Sequence, residues 1–178
     1  MLVTQDNLKT KIIKNKNINL IELKKIIKLK KSEWKYNYSS QIKWIKSFLK
    51  PNDVHFLLIK NNKLIGYNLL RKRIIFDNVK HTHKNDFFYF DTFIIDKKYR
   101  KKGYARYFIN KINNFILKDK KLGLLLCKKI HINFYKKYKW KKVIKKKFIF
   151  LDKKTRLNIM VINFNKNKFR NNYSIKLN

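Results

Sequence analysis

The chain of 178 residues has few of the residues that constrain a backbone. It contains one cysteine, Cys127, one proline, Pro51, and three glycines. A single cysteine excludes an intrachain disulfide, and a reducing compartment is therefore expected. Because glycine is so scarce, each glycine in a turn calls for a local explanation.

Acidic residues are also scarce: there are 10, against 47 lysines and arginines, and the net charge is +37. Such an excess is typical of proteins that bind nucleic acid or anionic membranes. It also results from compositional drift, because lysine, asparagine and isoleucine all have A/T-rich codons. Only six of the 47 basic residues are arginine, and the lysines are spread along the whole chain. We favour drift, with salt-sensitive, non-specific nucleic-acid binding as its by-product.

Long apolar runs are missing as well. No run approaches the roughly 18 residues of a membrane span, and "MLVTQDNLKT" has no apolar signal core. The sequence therefore predicts a soluble, cytoplasmic protein without a membrane partner, either a monomer or a homodimer. With 44% apolar residues, the chain can form a core of one domain.

The hydrophobic periodicity predicts a mixed α/β (α+β) fold with a largely antiparallel sheet flanked by helices. Two early helices are followed by two strands that meet at Asn61-Asn62 and by a third apolar strand. A helix, a short buried strand, a short helix and a closing hairpin about Asp152–Thr155 complete a domain over 1–164. The polar, basic stretch 165–178 is predicted to be a mobile tail. In chain order, the predicted elements before that tail cover 18–31, 39–49, 54–76, 87–95, 104–116, 122–127, 131–138 and 141–164.

The stretch "YRKKGYA" (99–105) lies between an apolar strand and an amphipathic helix. A helix start leaves backbone N–H groups unpaired and has a partial positive charge, so it attracts anions. Gly103 would let the backbone approach a phosphate closely. The alternative is an ordinary turn glycine, but the order strand, loop and helix favours the phosphate loop.

Two segments together resemble the GNAT superfamily of N-acetyltransferases. "DTFIIDKKYRKKGYARYFINKI" resembles its acetyl-CoA motif: a strand, R/Q-x-x-G-x-G/A and a helix. "LLLCKKIHINFYKKYKWKKV" resembles its next motif, and the spacing of the two fits. The resemblance covers most of residues 10–164.

The resemblance implies acetyl-CoA as cosubstrate and a sheet that splays open at the cofactor site. Main-chain N–H groups of the loop would hold the pyrophosphate, and the pantetheine arm would pair with the end of the third strand like an added strand. The residues implied in cofactor binding are Phe93, Ile94, Ile95, Arg100, Lys101, Lys102, Gly103, Tyr104, Ala105 and Arg106.

For catalysis, Tyr135 matches the family's tyrosine that protonates the departing thiolate; alternatively, it packs in the core. Asp91 is the only charged residue in 87–95 and is a candidate general base. The alternative for Asp91 is an ion pair with a lysine at the strand edge. His81 and His83 are weaker candidate bases.

The remaining polar candidates are interpreted as structural. His131 is expected at the surface, His55 as structural and Cys127 as a small core residue. We expect no metal, since one cysteine and no clear acidic partner accompany the His81-x-His83 pair.

Two positions depart from the family pattern. Lys139 replaces the usual glycine before Trp140, so that turn must form without the residue that most easily adopts a left-handed conformation. Lys128 replaces a frequent asparagine that touches the cofactor.

The predicted activity is acetyl transfer from acetyl-CoA to the primary amine of a small molecule by direct attack. The basic surface favours an anionic acceptor, such as an amino-sugar, over polyamines and lysine-rich tails. The alternatives are a weakly catalytic module that binds nucleic acid or ribosomes, and an acyltransferase with a longer donor.

Overall fold

The computed structural model describes residues 7–80, 82–152, 155–165 and 171–177. These residues form a mixed α/β structure with a mostly antiparallel sheet, which confirms the predicted fold class. Two compact units are distinguished: Met1–Arg71 with Asp91–Ile112, and Lys72–Phe90 with Asn113–Asn178. The prediction of a single domain over 1–164 stays a prediction.

Four α-helices occur in the described part of the chain, close to their predicted positions. None of them is long and apolar enough to cross a membrane. In α1, Asn19 and Glu22 form a capping box, with Asn19 Oδ1 accepting from the Glu22 N–H at 2.9 Å. The helices are α1 (Leu20–Lys31), α2 (Tyr38–Phe48), α3 (Tyr104–Lys118) and α4 (Ile132–Lys136).

The strands within the described residues form one sheet of nine. The order along the main path is β1-β2-β3-β4-β5-β8-β6, and β9 pairs with β3 and β7. The strands are β1 (Leu8–Lys14), β2 (Val54–Lys60), β3 (Lys63–Asp77), β4 (Thr82–Ile95), β5 (Leu122–Cys127), β6 (Lys141–Val143), β7 (Phe148–Phe150), β8 (Asn158–Ile162) and β9 (Tyr173–Ile175).

The turn between β2 and β3 forms where the sequence predicts it. Asn61 and Asn62 have φ values of 46° and 59°, the left-handed pair that joins antiparallel strands with the correct twist. β1 pairs with the other side of β2. Within the first unit, β2 and β3 bury Phe56, Leu58 and Ile65, none of which is exposed to solvent.

The C-terminal part of the second unit differs from the prediction in two ways. β8 pairs with β5 and β6, whereas β7 pairs in parallel with β9, so 141–164 is not a simple hairpin. Residues 171–177 are not a tail without anchors, because Tyr173, Ile175 and Leu177 alternate into the core with at most 1% exposure. Arg73 Nε also donates to the Leu177 carbonyl at 2.7 Å, and this bond holds the segment in place.

Candidate active site

The loop between β4 and α3 reverses the chain twice before the helix begins. A 3-10 turn over Lys97–Tyr99 is capped by Asp96, whose Oδ1 accepts from the Lys98 N–H at 3.0 Å. Lys101 and Gly103 then have φ values of 59° and 83°. Gly103 therefore has a second reason to be glycine, because only glycine adopts this conformation without steric cost.

A row of backbone N–H groups is open at this helix start. The Tyr107 N–H donates to the Gly103 carbonyl at 3.1 Å, which is the first bond of the helix. In the segments that the structure describes, the N–H groups of residues 101–106 have no acceptor. Such a row, at the positive end of a helix dipole, fits the pyrophosphate group of a coenzyme A.

The Arg100 side chain is used to hold the loop. Its Nε donates to the Ile95 carbonyl at 2.9 Å, and its guanidinium forms an ion pair with Glu33. The Arg100 N–H donates to the Lys97 carbonyl at 3.3 Å. Within the predicted stretch 100–106, the open N–H groups therefore begin at residue 101, and Arg100 stabilises the loop from one side.

The end of β4 has main-chain groups available for pairing. The parallel ladder between β4 and β5 covers Phe87–Tyr89, and β4 continues to Ile95. Among the described residues, Phe93, Ile94 and Ile95 have no ladder with β5. The predicted pairing with a pantetheine arm requires that β5 does not occupy this part of β4.

Thr92 interrupts the middle of β4 with a positive φ of 47°. A β-branched residue in this region is an outlier that neighbouring structure must hold in place. Asn68, on β3 and fully buried, does so: its Nδ2 lies 3.0 Å from the carbonyl oxygens of both Asp91 and Thr92. Sequence reasoning missed both residues, and the only signal was an amide inside the apolar run "LIGYNLL".

A pocket of about 390 Å³ lies in the first unit beside this interruption. Asp91 and Thr92 line it from β4, Lys30 lines it from α1, and its aromatic wall comes from α2 and the segment between the two helices. Trp34 and Tyr36 stack with ring centroids 6.4 Å apart. Asp91 therefore faces a cavity of a size suited to a small molecule.

The charged side chains at this pocket include more cations than carboxylates. Arg71 Nη1 lies 3.4 Å from Asp91 Oδ2, and the Arg71 guanidinium carbon lies 5.5 Å from the centre of the Trp44 ring. Asp91 is thus paired with an arginine rather than with a lysine. Lys30 Nζ lies 5.0 Å from the same Trp44 ring, and no carboxylate of the described residues pairs with it. Burial lowers the pKa of Lys30 below its usual value, and the charge of Asp91 opposes this shift.

Gln41 adds an unsatisfied polar group to the pocket. It lies on α2, is 6% exposed, and its Oε1 has no hydrogen-bond partner among the described residues. Buried amide oxygens usually have a partner, so Gln41 is an exception among the residues that line this pocket.

In the second unit, Tyr135 packs among aromatic rings near the end of α4. Its ring meets Phe90 edge-on at 6.0 Å and Trp140 at 6.2 Å, and the residue is half-buried. The described part of the chain provides no hydrogen-bond partner for its hydroxyl. Burial raises the pKa of the Tyr135 phenol above its usual value, and Cys127 adds to the shift. The phenol is therefore protonated at neutral pH.

The other titratable candidates lie apart from these features. His131 is exposed, and Cys127 is buried at the end of β5. His55 is fully buried, with hydrogen-bond contacts to Tyr67 and Asn15. His81 lies outside the described residues, and so does the side chain of His83. In the described ranges, no three His, Cys, Asp or Glu side chains come together as metal ligands.

The two departures from the expected pattern have clear local consequences. Lys139 has a φ of 68°, so this lysine adopts the left-handed conformation that the position requires. Its N–H donates to the Lys136 carbonyl at 3.2 Å. Lys128 is extended and exposed before the 3-10 turn at Lys129–His131.

The sequence of this chain matches the model of a known protein family. The sequence model of the Acetyltransferase (GNAT) family matches residues 21–139. No curated protein sequence matches the chain significantly.

Solved structures with the same fold include three acetyltransferases. The GNAT family N-acetyltransferase YhbS from Escherichia coli, in complex with CoA, has a TM-score of 0.70 at 12% identity over 99% of this chain and 94% of that chain. The ribosomal-protein-S18-alanine N-acetyltransferase from Escherichia coli has a TM-score of 0.59 at 12% identity, over 86% and 93%. The aminoglycoside acetyltransferase meta-AAC0020, from an uncultured soil metagenomic sample, has a TM-score of 0.55 at 15% identity, over 75% and 88%.

Proposed function

Because the chain belongs to the Acetyltransferase (GNAT) family and is therefore an acyl-CoA-dependent acyltransferase, we propose that it acetylates the primary amine of a small molecule. The observation that supports a small acceptor is the pocket of about 390 Å³ lined by Asp91. Proteins of this fold act on ribosomal protein in one case and on aminoglycosides in another, so the fold leaves the acceptor open. A pocket with aromatic walls suits a small molecule better than an extended chain.

The cosubstrate would be held mainly by the backbone. The N–H groups of residues 101–106 are open at the positive end of α3, and they would stabilise a pyrophosphate there. Gly103 leaves room for its approach. The main-chain groups of Phe93, Ile94 and Ile95, which lie beyond the ladder with β5, would pair with the amide groups of the pantetheine arm. Acetyl-CoA supplies the thioester that is cleaved.

Direct attack needs two proton transfers. The amine nitrogen forms a bond to the thioester carbonyl carbon, the C–S bond breaks, and the sulfur departs as a thiolate. Tyr135 donates its phenolic proton to that sulfur, and it can do so because burial keeps the phenol protonated. The amine loses one proton, which Asp91 accepts directly or through water. Asp91 then releases its proton to solvent, Tyr135 regains a proton from solvent, and the products are an amide and the free thiol.

Asp91 has a second task in this proposal. Its carboxylate lines the pocket and is fixed by Arg71 at 3.4 Å, so it offers a positioned acceptor for the N–H groups of the substrate. A carboxylate in that role orients the amine, and orientation lowers the barrier of a bimolecular reaction. The interruption at Thr92 sets the direction of this part of β4.

A thiol-release screen with acetyl-CoA tests the proposal. Amino-sugars, amino acids, polyamines and short peptides would be compared, and each acetylated product would be identified by mass. We expect release only with small primary amines, and we expect anionic amines to be preferred. Release with peptides alone would overturn the small-molecule assignment. No release from any amine, together with nucleic-acid binding that survives physiological salt, would favour the binding-module alternative.

A further inference from the structure

The pocket beside Asp91 contains three features that the transfer of an acetyl group does not require. One is a buried ammonium without a carboxylate partner, the second is a stacked aromatic pair at the rim, and the third is the unpartnered amide of Gln41. From these features we propose, on the basis of the function above, that the acceptor is an anionic primary amine with a flat face. Its acidic group would lie on Lys30 and its flat face against Trp34 and Tyr36.

The charge argument comes first. Arg71 forms an ion pair with Asp91, whereas Lys30 is 8% exposed, lies against the Trp44 ring and forms no direct ion pair with a carboxylate of the described residues. The charge of Asp91 acts on Lys30 without such a contact. A buried, unpaired cation is costly, and an anion that enters the pocket removes that cost. A carboxylate or phosphate on the acceptor would provide this anion, and a charge-assisted hydrogen bond would fix it.

The shape argument is independent of the charge. Trp34 and Tyr36 are 37% and 46% exposed, although both belong to residue types that are usually better covered. Their planes differ by 28°, so the two rings offer nearly parallel surfaces. Either an aromatic ring or the apolar face of a sugar can pack on such surfaces.

Gln41 completes the recognition. Gln41 lines the pocket, and its buried Oε1 has no partner among the described residues. In this proposal the side chain turns towards the bound ligand and accepts from one of its hydroxyl or N–H groups. A ligand that satisfies Gln41, Lys30 and Asp91 together has hydrogen-bonding groups on several sides of a flat body. Polyamines have neither the anion nor the flat face, and the proposal therefore excludes them.

The test compares matched amines that differ only in the anionic group. One pair is L-phenylalanine and phenethylamine, and the other is glucosamine 6-phosphate and glucosamine. We expect the member of at least one pair that has the anionic group to show a kcat/KM about tenfold or more above the member that lacks it. The pair that shows this preference identifies the flat face as an aromatic ring or a sugar.

The variant Lys30→Met keeps the apolar stem and removes the charge. It should abolish the preference within the pair, a ratio that does not depend on how much protein is folded. Lys28→Met, an exposed position on the same helix, is the control and should keep the wild-type ratio. Equal use of both members by the wild type, or an unchanged ratio in Lys30→Met, would overturn the proposal.

Binding without acetyl-CoA separates this inference from the proposed function. Trp34 and Trp44 line the pocket, so their fluorescence should change when an anionic amine is added, and Trp34→Phe should reduce the change. Anion-dependent binding without thiol release would support the pocket assignment and contradict the enzymatic proposal. Thiol release with other amines, without a preference for anionic ones, would support the enzymatic proposal and contradict the pocket assignment. If the anionic amines neither bind nor are preferred as substrates, the inference is wrong.

Discussion

The side-chain amide of Asn68 holds Thr92 in its left-handed conformation, with Asn68 Nδ2 3.0 Å from the Thr92 carbonyl oxygen. The same amide reaches the Asp91 carbonyl at 3.0 Å. A residue on β3 thereby sets the backbone of β4 where the candidate base is located. This relationship gives the first prediction.

Asn68→Leu should lower the free energy of unfolding by about 1–3 kcal/mol, because two part-buried carbonyl groups lose their donor. Urea denaturation measures this change. Asn158→Leu is the matched control, since Asn158 is only half-buried on β8 and its bond to the Cys127 carbonyl is long, at 3.4 Å. A smaller loss in Asn68→Leu than in the control would contradict the role given to Asn68.

Tyr135→Phe should reduce kcat by about 10²-fold or more, as expected for the loss of a general acid. Coenzyme A affinity should be kept, because the ring contacts with Phe90 and Trp140 remain. Steady-state thiol release and calorimetric binding measure the two quantities. Tyr138→Phe, on the turn that follows α4, serves as the control with wild-type kcat. An unchanged rate in Tyr135→Phe would remove the acid assignment.

Gly103→Val should weaken coenzyme A binding about tenfold or more. Valine at a φ of 83° is strained, and its side chain would occupy the approach to the open N–H groups. Isothermal titration calorimetry with coenzyme A measures the affinity. Lys120→Val places the same strain at a φ of 51° in another turn and should leave the affinity unchanged. Wild-type affinity in Gly103→Val would contradict the phosphate-loop assignment.

Lys139→Gly should stabilise the protein by about 0.5–1 kcal/mol, because glycine adopts the φ of 68° without the steric cost that lysine incurs. The melting temperature measures the effect. Lys137→Gly is the control, since Lys137 has a right-handed φ of −59° and glycine there should destabilise. If both variants lowered the melting temperature equally, this would contradict the steric cost that we assign to Lys139 in its left-handed conformation.

Acid should destabilise the protein through His55. Burial lowers the pKa of His55 to about 4, from the usual 6.5. Below pH 6.5 the unfolded chain binds a proton that the folded chain does not bind, so stability falls as the pH drops from 6.5 towards 4. The full loss is about 3 kcal/mol.

Urea denaturation between pH 7.5 and pH 4.5 measures this slope. His55→Gln should flatten it, even if its stability is lower at every pH, whereas His131→Gln at an exposed position should keep the wild-type slope. The same slope in His55→Gln and in the wild type would assign the acid sensitivity to other groups.

The sequence by itself determined the elements whose signals are local. The Asn61-Asn62 turn, the amphipathic face of α3 and the loop at Gly103 depend on conformational preferences and periodicity within a few residues. Those preferences were sufficient for the fold class, and two motifs in order were sufficient for the family. The left-handed turn at Lys139 followed from the same kind of reasoning.

Tertiary structure decided the features that need partners distant in the chain. Strand β9 exists because β3 and β7 supply its hydrogen bonds, and the residues near Tyr173 in the sequence do not indicate this pairing. Thr92 is held by Asn68, against the extended conformation that threonine prefers. Lys30 resembles every other lysine in the sequence, and only its burial beside Trp44, without a direct ion pair to a described carboxylate, leads to the proposal that it binds an anion. A side chain's desolvation and partners are properties of the folded chain, so the proposed acceptor pocket could not be found from local sequence patterns.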